Sequence, residues 1–88
     1  MFKSYRKGKI YFNQNHDIEE VSDILGYLKF VPLRVEFLAY SNEFEYIGIS
    51  DKFEELQIGE KVPTYTITLK YRYINKIKLL DEVTSSRI

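Results

Sequence analysis

Residues 64–73, TYTITLKYRY, alternate between two chemical classes at almost every step. Successive side chains of a β-strand point to opposite faces of the sheet, so this pattern predicts a strand with one polar and one apolar face. Threonines and cations share the first face, and tyrosines share the second with Ile67 and Leu69. A platform for stacking bases needs aromatic rings beside cations. Because the strand separates the two groups, we interpret the stretch as a core strand with a solvated cationic face.

The length of 88 residues fits one small domain with a modest core. We expect that domain to span residues 1–83 and residues 84–88 to form a frayed tail. The chain has no cysteine, which excludes a disulfide framework and thiolate chemistry. No apolar run approaches the ~20 residues that a membrane span requires. We therefore expect a soluble cytoplasmic protein that does not contact a membrane.

The composition is rich in Lys, Ile, Asn, Tyr and Phe, and Ala39 is the only alanine. AT-rich coding DNA produces this skew. It indicates a bacterial or phage origin, so the expected location is the cytoplasm of a bacterium or of a phage-infected host cell.

A helical pattern begins at Asp17. Its apolar stripe recurs with helical spacing, opposite an acidic face, and consists of Ile18, Val21, Ile24, Leu25 and Leu28. Asn15 or Asp17 is suited to cap the helix, and Asp17 would do so together with Glu20 three residues later, as in a capping box. Gly26 lowers the helix propensity and Pro32 disfavours helical geometry at Val31. The pattern therefore predicts a helix that ends between residues 26 and 30.

Strands are predicted on both sides of this helix, from alternation and from turn residues. They cover residues 2–12, where Gly8 weakens the strand or marks a bulge, then 33–41, 44–50 and 64–73. Ser50 is suited to cap a short helix over residues 50–56. Residues 74–83 either continue the preceding strand or form a separate one after a turn near Asn75.

These elements predict an α+β fold of two layers, with one main helix packed on a four- or five-stranded antiparallel sheet. The order is β-α-β-β-short helix-β, with room for a last strand. One helix and one sheet each need a single covered face, so the two-layer arrangement satisfies both. The contacts expected between the layers join Val21, Leu25 and Leu28 to Phe37, Ile67 and Leu69.

No pattern in the sequence indicates an active site. His16 is the only histidine, so a multi-histidine metal site is excluded, and its neighbour Asp17 is explained by helix capping. The four glycines, at positions 8, 26, 48 and 59, are too scattered for a phosphate-binding loop. We therefore predict a protein that is not an enzyme and uses neither a cofactor nor a metal.

The segment 41–60 is acidic, with six carboxylates against one lysine, although the formal net charge of the chain is zero. Aromatic residues interleaved with carboxylates are suited to dock a basic patch of another protein. The predicted partner-binding residues are Glu43, Glu45, Tyr46, Asp51, Phe53, Glu54 and Glu55. A hairpin with a solvated outer face explains the same pattern, and imitation of nucleic-acid phosphates is a further alternative.

The leading functional hypothesis is a small protein that binds another macromolecule, with a protein as the expected partner. The composition and the acidic segment suggest a phage or mobile-element regulator or inhibitor. The alternative is a nucleic-acid-binding accessory protein that uses the cations Lys7, Lys9, Lys70 and Arg72. Zero net charge disfavours that alternative, and cross-strand pairs with carboxylates would neutralise the cations. A third class is a homo-oligomer formed through an exposed sheet edge.

Overall fold

The computed structural model describes residues 6–88 and contains five strands and one helix. In chain order the elements are β1 (Lys7–Asn13), α1 (Ile18–Tyr27), β2 (Val31–Leu38), β3 (Glu43–Ile49), β4 (Tyr65–Ile74) and β5 (Ile77–Arg87). The predicted N-terminal strand therefore covers all of β1 except Asn13, and residues 2–5 of that prediction lie outside the described residues.

The helix α1 lies where the apolar stripe predicted it. Asp17 caps it by accepting a hydrogen bond from the backbone N–H of Glu19 at 3.0 Å. Glu20 does not complete a capping box with Asp17, because its carboxylate instead hydrogen-bonds His16 and Tyr71. The buried stripe of the helix and its end consists of Val21, Ile24 and Leu28.

The C-terminus of α1 is a Schellman motif. Lys29 has a φ of 52°, its N–H donates to the carbonyl of Gly26, and the N–H of Phe30 donates to the carbonyl of Leu25. Two carbonyls at the helix end are thereby satisfied. The helix consequently ends at Tyr27, inside the predicted range and five residues before Pro32.

The predicted single sheet under a main helix is wrong, since the strands form two small antiparallel sheets. One has three strands in the order β1-β3-β2, and the other is a two-stranded ribbon of β4 and β5. The sheets meet at a parallel bridge between Lys9 and Thr64, next to a hydrogen bond from Lys9 N–H to the Pro63 carbonyl. Alternation predicted each strand but carries no information on which strands pair, so the split could not be read from it.

A pair of glycines explains how the three-stranded sheet accepts large rings. Gly8 lies directly opposite Gly48 in the pairing of β1 with β3, so neither glycine marks a bulge. A Cβ atom at Gly8 would lie 2.7 Å from the Tyr65 ring and 2.8 Å from the Phe53 ring. At Gly48 it would collide with Phe30. The sheet thus leaves space at this point for a cluster of aromatic rings.

The core is built around that cluster. Phe53 stacks on Tyr65 with ring centroids 4.1 Å apart, and Phe30 approaches Phe53 edge-on at 6.0 Å. The buried apolar residues are Ile10, Phe12, Val21, Ile24, Leu28, Phe30, Phe53 and Tyr65. Ile67 and Leu69 pack against this cluster, which includes Val21 and Leu28 of the predicted helix stripe. Phe37 is 43% exposed, so its predicted place under the helix is wrong.

The short helix predicted for residues 50–56 is absent, because this segment forms turns. The side chain of Ser50 is buried and donates a hydrogen bond to the Leu28 carbonyl at 2.6 Å, while it accepts one from the Lys52 N–H at 3.0 Å. The Tyr65 hydroxyl accepts a hydrogen bond from the Glu54 N–H at 2.7 Å. These long-range bonds hold the segment in a turn that directs Phe53 into the core.

The two faces predicted for residues 64–73 are confirmed in the ribbon. Tyr65, Ile67 and Leu69 are buried or half-buried, whereas the threonines between them and the cations of the strand are exposed. A turn at Asn75 and Lys76, both with positive φ, leads into β5 as a separate strand. The frayed tail predicted for residues 84–88 is wrong. β5 continues to Arg87, which pairs with Tyr65.

Candidate interaction surface

An edge strand exposes large apolar side chains in this protein. The strand is β2, and we call its four exposed apolar residues the β2 patch: Val31, Leu33, Val35 and Phe37. Their exposed fractions are Val31 57%, Leu33 54%, Val35 50% and Phe37 43%. β2 is the outer strand of its sheet, so its second edge is unpaired in the described structure. Scattered apolar side chains are ordinary on a surface, whereas several along one free strand edge mark an interaction site or an aggregation hazard.

Only Val35 and Phe37 of the β2 patch continue the core face of the sheet, because the register shift between Pro32 and Arg34 places Val31 on the opposite face. Phe37 pairs with Phe44 across β2 and β3, with ring centroids 5.1 Å apart, and Val35 pairs with Tyr46. Tyr46 in turn packs edge-on against the buried ring of Phe12 at 5.4 Å. The core face is therefore covered at the β1 side of the sheet and bare at the β2 side.

The opposite face of β2 carries charges of both signs. Arg34 Nη2 lies 2.8 Å from Glu36 Oε1, two positions along the same strand. Glu36 also lies directly opposite Glu45 of β3. The Tyr11 hydroxyl donates a hydrogen bond to Glu45 at 2.6 Å, and this bond raises the pKa of Tyr11 to about 12. Glu45 thus has a donor on its β1 side, while Glu36 faces the free edge.

The structure separates the partner-binding residues predicted in the acidic segment. Phe53 is only 1% exposed, so its ring cannot contact a partner, and Tyr46 is half-buried. Glu43 lies at the start of β3, whereas Asp51 follows its end. A strand of seven residues is about 20 Å long. The predicted residues consequently do not form one compact acidic and aromatic surface.

The second half of the acidic segment is partly neutralised within the chain. Arg87 Nη1 lies 3.2 Å from Glu54 Oε1, and the other terminal nitrogen of Arg87 pairs with Glu60. The bond to Arg87 lowers the pKa of Glu60, and Glu60 raises that of Arg87. Asp51 and Glu55 are exposed. This cluster fastens the end of β5 to the loop before β4.

The predicted basic surface has carboxylates beside its main cations. Lys70 Nζ lies 3.6 Å from Glu82 and Arg72 Nε lies 3.3 Å from Asp81, both across the ribbon. The cross-strand neutralisation expected from the sequence is therefore confirmed at these two positions. The other two cations of the prediction, Lys7 and Lys9, lie on β1 in the other sheet.

A cleft of about 440 Å³ opens between β1 and β4, where the two sheets diverge. Its apolar walls include Ile10, Phe12, Ile24, Ile67 and Leu69, and His16 stands at its polar rim.

Nε2 of His16 lies 2.7 Å from Oε1 of Glu20. The same carboxylate accepts a hydrogen bond from the Tyr71 hydroxyl. The carboxylate raises the pKa of Tyr71 to about 12. A tyrosine that acts as a base or nucleophile needs its pKa lowered. The cluster is thus explained as a bridge between α1 and the ribbon.

The sequence predicted a strand over residues 33–41, which includes Val35 and Phe37, but it did not indicate that these residues form an exposed surface. Two signals could have indicated an edge strand. Pro32 lacks an N–H and is therefore favoured at sheet edges, and Arg34 alternates with Glu36 on the face opposite Val35. Neither signal shows whether another element covers this strand in the folded protein.

Among residues 6–88 no three side chains suited to bind a metal come together. The one helix in that range has ten residues, which is too short to cross a bilayer. A comparison of the chain with protein-family models, with curated proteins and with solved structures found no match. No function is therefore carried over from a relative.

Proposed function

We propose that this chain is a non-enzymatic protein that binds another polypeptide, and that the polypeptide docks on β2. The observation that carries the proposal is the β2 patch, a run of large apolar side chains on an unpaired strand edge. An edge of this kind supplies backbone hydrogen bonds to an added strand, and the side chains beside it supply apolar contact.

The position of Phe37 and Val35 supports a docking site for a protein. Both continue the core face of the sheet, which is already covered at its β1 side. A partner that packs on the β2 side would therefore extend an existing core. Burying apolar area is favourable by about 25 cal/mol per Å². Protein interfaces characteristically combine an apolar centre with charged residues around it, and Arg34 and Glu36 lie on the opposite face of the same strand.

The same structure gives less support to the nucleic-acid alternative. Phosphate binding requires cations that are free to replace counterions. Lys70 and Arg72 lie beside carboxylates of β5 instead, at 3.6 Å and 3.3 Å. A protein is therefore a better candidate for the partner than a nucleic acid. The proposed contact surface is β2, in place of the acidic segment.

The proposal is tested by capturing partners from an extract of the source organism with the tagged protein. The informative variant is Val35→Lys, which places a charge in the β2 patch. The matched control is Ile74→Lys in the ribbon, because Ile74 is 46% exposed and Val35 is 50% exposed. Circular dichroism verifies that both variants remain folded.

We expect the wild type and Ile74→Lys to retain the same protein partner, as identified by mass spectrometry, and Val35→Lys to lose it. Retention by both variants would place the interface away from β2. Nuclease-sensitive material in place of a protein would favour the nucleic-acid alternative.

A further inference from the structure

We infer that the polypeptide that docks on β2 is a second copy of this chain. The two β2 strands pair antiparallel, with the two-fold axis at Val35. This inference rests on the proposed docking function of β2 and names the partner of that surface. It is carried by the order of charged and apolar residues along the strand, which is self-complementary about Val35.

The charges on either side of Val35 are opposite in sign. Arg34 precedes it and Glu36 follows it, and the two side chains lie on the same face, 2.8 Å apart. In an antiparallel pair centred on Val35, Arg34 lies directly opposite Glu36 of the second copy, and Glu36 lies opposite the second Arg34. One interface therefore contains two cross-strand pairs of opposite charge, which is a favourable arrangement.

Among the described residues these two charges pair only with each other, and neither has an oppositely charged partner on β3. On the β3 side, Arg34 lies opposite Ile47, which offers no anion, and Glu36 lies opposite Glu45, which has the same sign. Like charges directly opposite each other are unfavourable. Arg34 of the same strand already contacts Glu36, and the second copy adds another Arg34 directly opposite Glu36 on the free side.

Apolar contact coincides with the same axis. Val35 is half exposed and would meet its own counterpart, while Phe37 and Leu33 flank it in the strand. The core face of the first sheet would then continue into that of the second. The formal net charge of zero imposes no overall repulsion between two copies.

Pro32 and the irregularity beside it limit the pairing to a defined length. The register between β2 and β3 shifts between Pro32 and Arg34. Proline has no N–H to donate to a neighbouring strand, so pairing cannot extend past Leu33 on one copy or Phe37 on the other. Such an isologous interface uses the β2 edge of both copies and closes as a dimer instead of growing into a fibre.

The first test measures the mass of the purified full chain by sedimentation from about 1 μM to about 1 mM, the range in which weak homodimers dissociate. We expect a dimer at the upper end. Arg34→Glu and Glu36→Arg should each raise the dissociation constant at least about tenfold, because each makes the facing charges alike.

A mixture of Arg34→Glu and Glu36→Arg should recover the dimer, since every facing pair then has opposite charges. The double variant, which carries both substitutions in one chain, should recover it as well. Arg72→Glu is the control, because the side chain of Arg72 is 63% exposed against 65% for Arg34 and also pairs with a carboxylate. It should leave the mass unchanged.

The second test uses the absence of cysteine from the chain. Residues directly opposite in an antiparallel pair have Cα atoms about 4.5–5.5 Å apart, which is within the range of a disulfide. Val35→Cys should therefore form a disulfide-linked dimer under mild oxidation. Phe37→Cys should not, because its counterpart lies four positions away along the partner strand, about 13 Å distant.

A protein that is monomeric at every concentration, with no crosslink at Val35→Cys, would overturn the inference. A dimer that persists in both charge-reversal variants would overturn it too, because it would place the interface elsewhere. In either case the docking function of β2 stands if Val35→Lys still loses its captured protein, and that function fails separately if the captured protein is retained.

Discussion

The Tyr71 hydroxyl donates a hydrogen bond of 2.6 Å to Oε2 of Glu20, and this bond joins the ribbon to α1. Tyr71 is the main cause of the lowered pKa of Glu20, and Glu20 is the main cause of the raised pKa of Tyr71. Tyr27 makes a second link, since its hydroxyl donates to the Leu80 carbonyl at 2.8 Å. Both bonds attach the ribbon to α1, and the buried side chains of α1 share a core with Ile10 and Phe12 of the first sheet.

Tyr71→Phe should lower the free energy of unfolding by about 1 kcal/mol at neutral pH, since it removes a hydrogen bond to a partly exposed carboxylate. Tyr40→Phe is the control, because Tyr40 is 87% exposed in a turn. Urea unfolding of both variants gives the difference. An unchanged midpoint for Tyr71→Phe would show that the bond does not contribute to stability.

The stability conferred by Glu20 should depend on pH in a predictable direction. Its pKa is lower in the folded protein than the ordinary value of 4.5. The contribution is therefore fully present above pH 4.5 and is lost as the pH falls through the lowered pKa. We expect the difference between wild type and Tyr71→Phe to shrink in that acidic range. A difference that stays constant down to full acid unfolding would contradict the linkage.

The glycines at positions 8 and 48 should be intolerant of a methyl group, in contrast to Gly26. Gly48→Ala and Gly8→Ala should each destabilise the fold by about 1–3 kcal/mol, because the added Cβ collides with aromatic rings. Gly26→Ala meets nothing within 4 Å and removes a glycine from α1, so it should stabilise by about 0.5–1 kcal/mol. Thermal unfolding of the three variants tests the order. Similar effects at positions 26 and 48 would contradict the packing described.

The loss of stability on substitution to alanine should be larger at Ile24 than at its neighbour Leu25. Ile24 is fully buried and Leu25 only partly. Ile24→Ala should therefore cost about 2–5 kcal/mol, which is the range for a buried aliphatic side chain. Leu25→Ala should cost clearly less. The reverse order in denaturant unfolding would mean that α1 presents a different face to the core.

The parts of the fold that were predicted correctly depend on local pattern. The stripe at Val21 and Leu28 and the cap at Asp17 fixed α1, and the alternation of residues 64–73 fixed the faces of β4. Both depend on the period of a single element, so no knowledge of its neighbours was needed.

The errors concern contacts between elements that are distant in sequence. Ser50 has the chemistry of a helix cap, but its hydroxyl bonds the Leu28 carbonyl 22 residues away. Gly8 suggests a bulge until Gly48 is placed opposite it. The β2 patch was missed for the same reason, because the exposure of Val35 depends on which strand occupies the edge of the sheet.

The last prediction concerns nucleic acids, which the tyrosines and cations of the ribbon first suggested. At physiological salt we expect no binding to single- or double-stranded DNA or RNA tighter than about 10⁻⁵ M, within the range of non-specific contacts. The reason is that Lys70 and Arg72 lie beside Glu82 and Asp81, while Tyr71 points to the opposite face. Fluorescence titration at low and at physiological salt measures the affinity. Sub-micromolar binding would contradict this prediction. If the folded double variant Lys70→Glu with Arg72→Glu loses that binding, the ribbon is the functional surface. If the double variant retains it, other cations contact the phosphates.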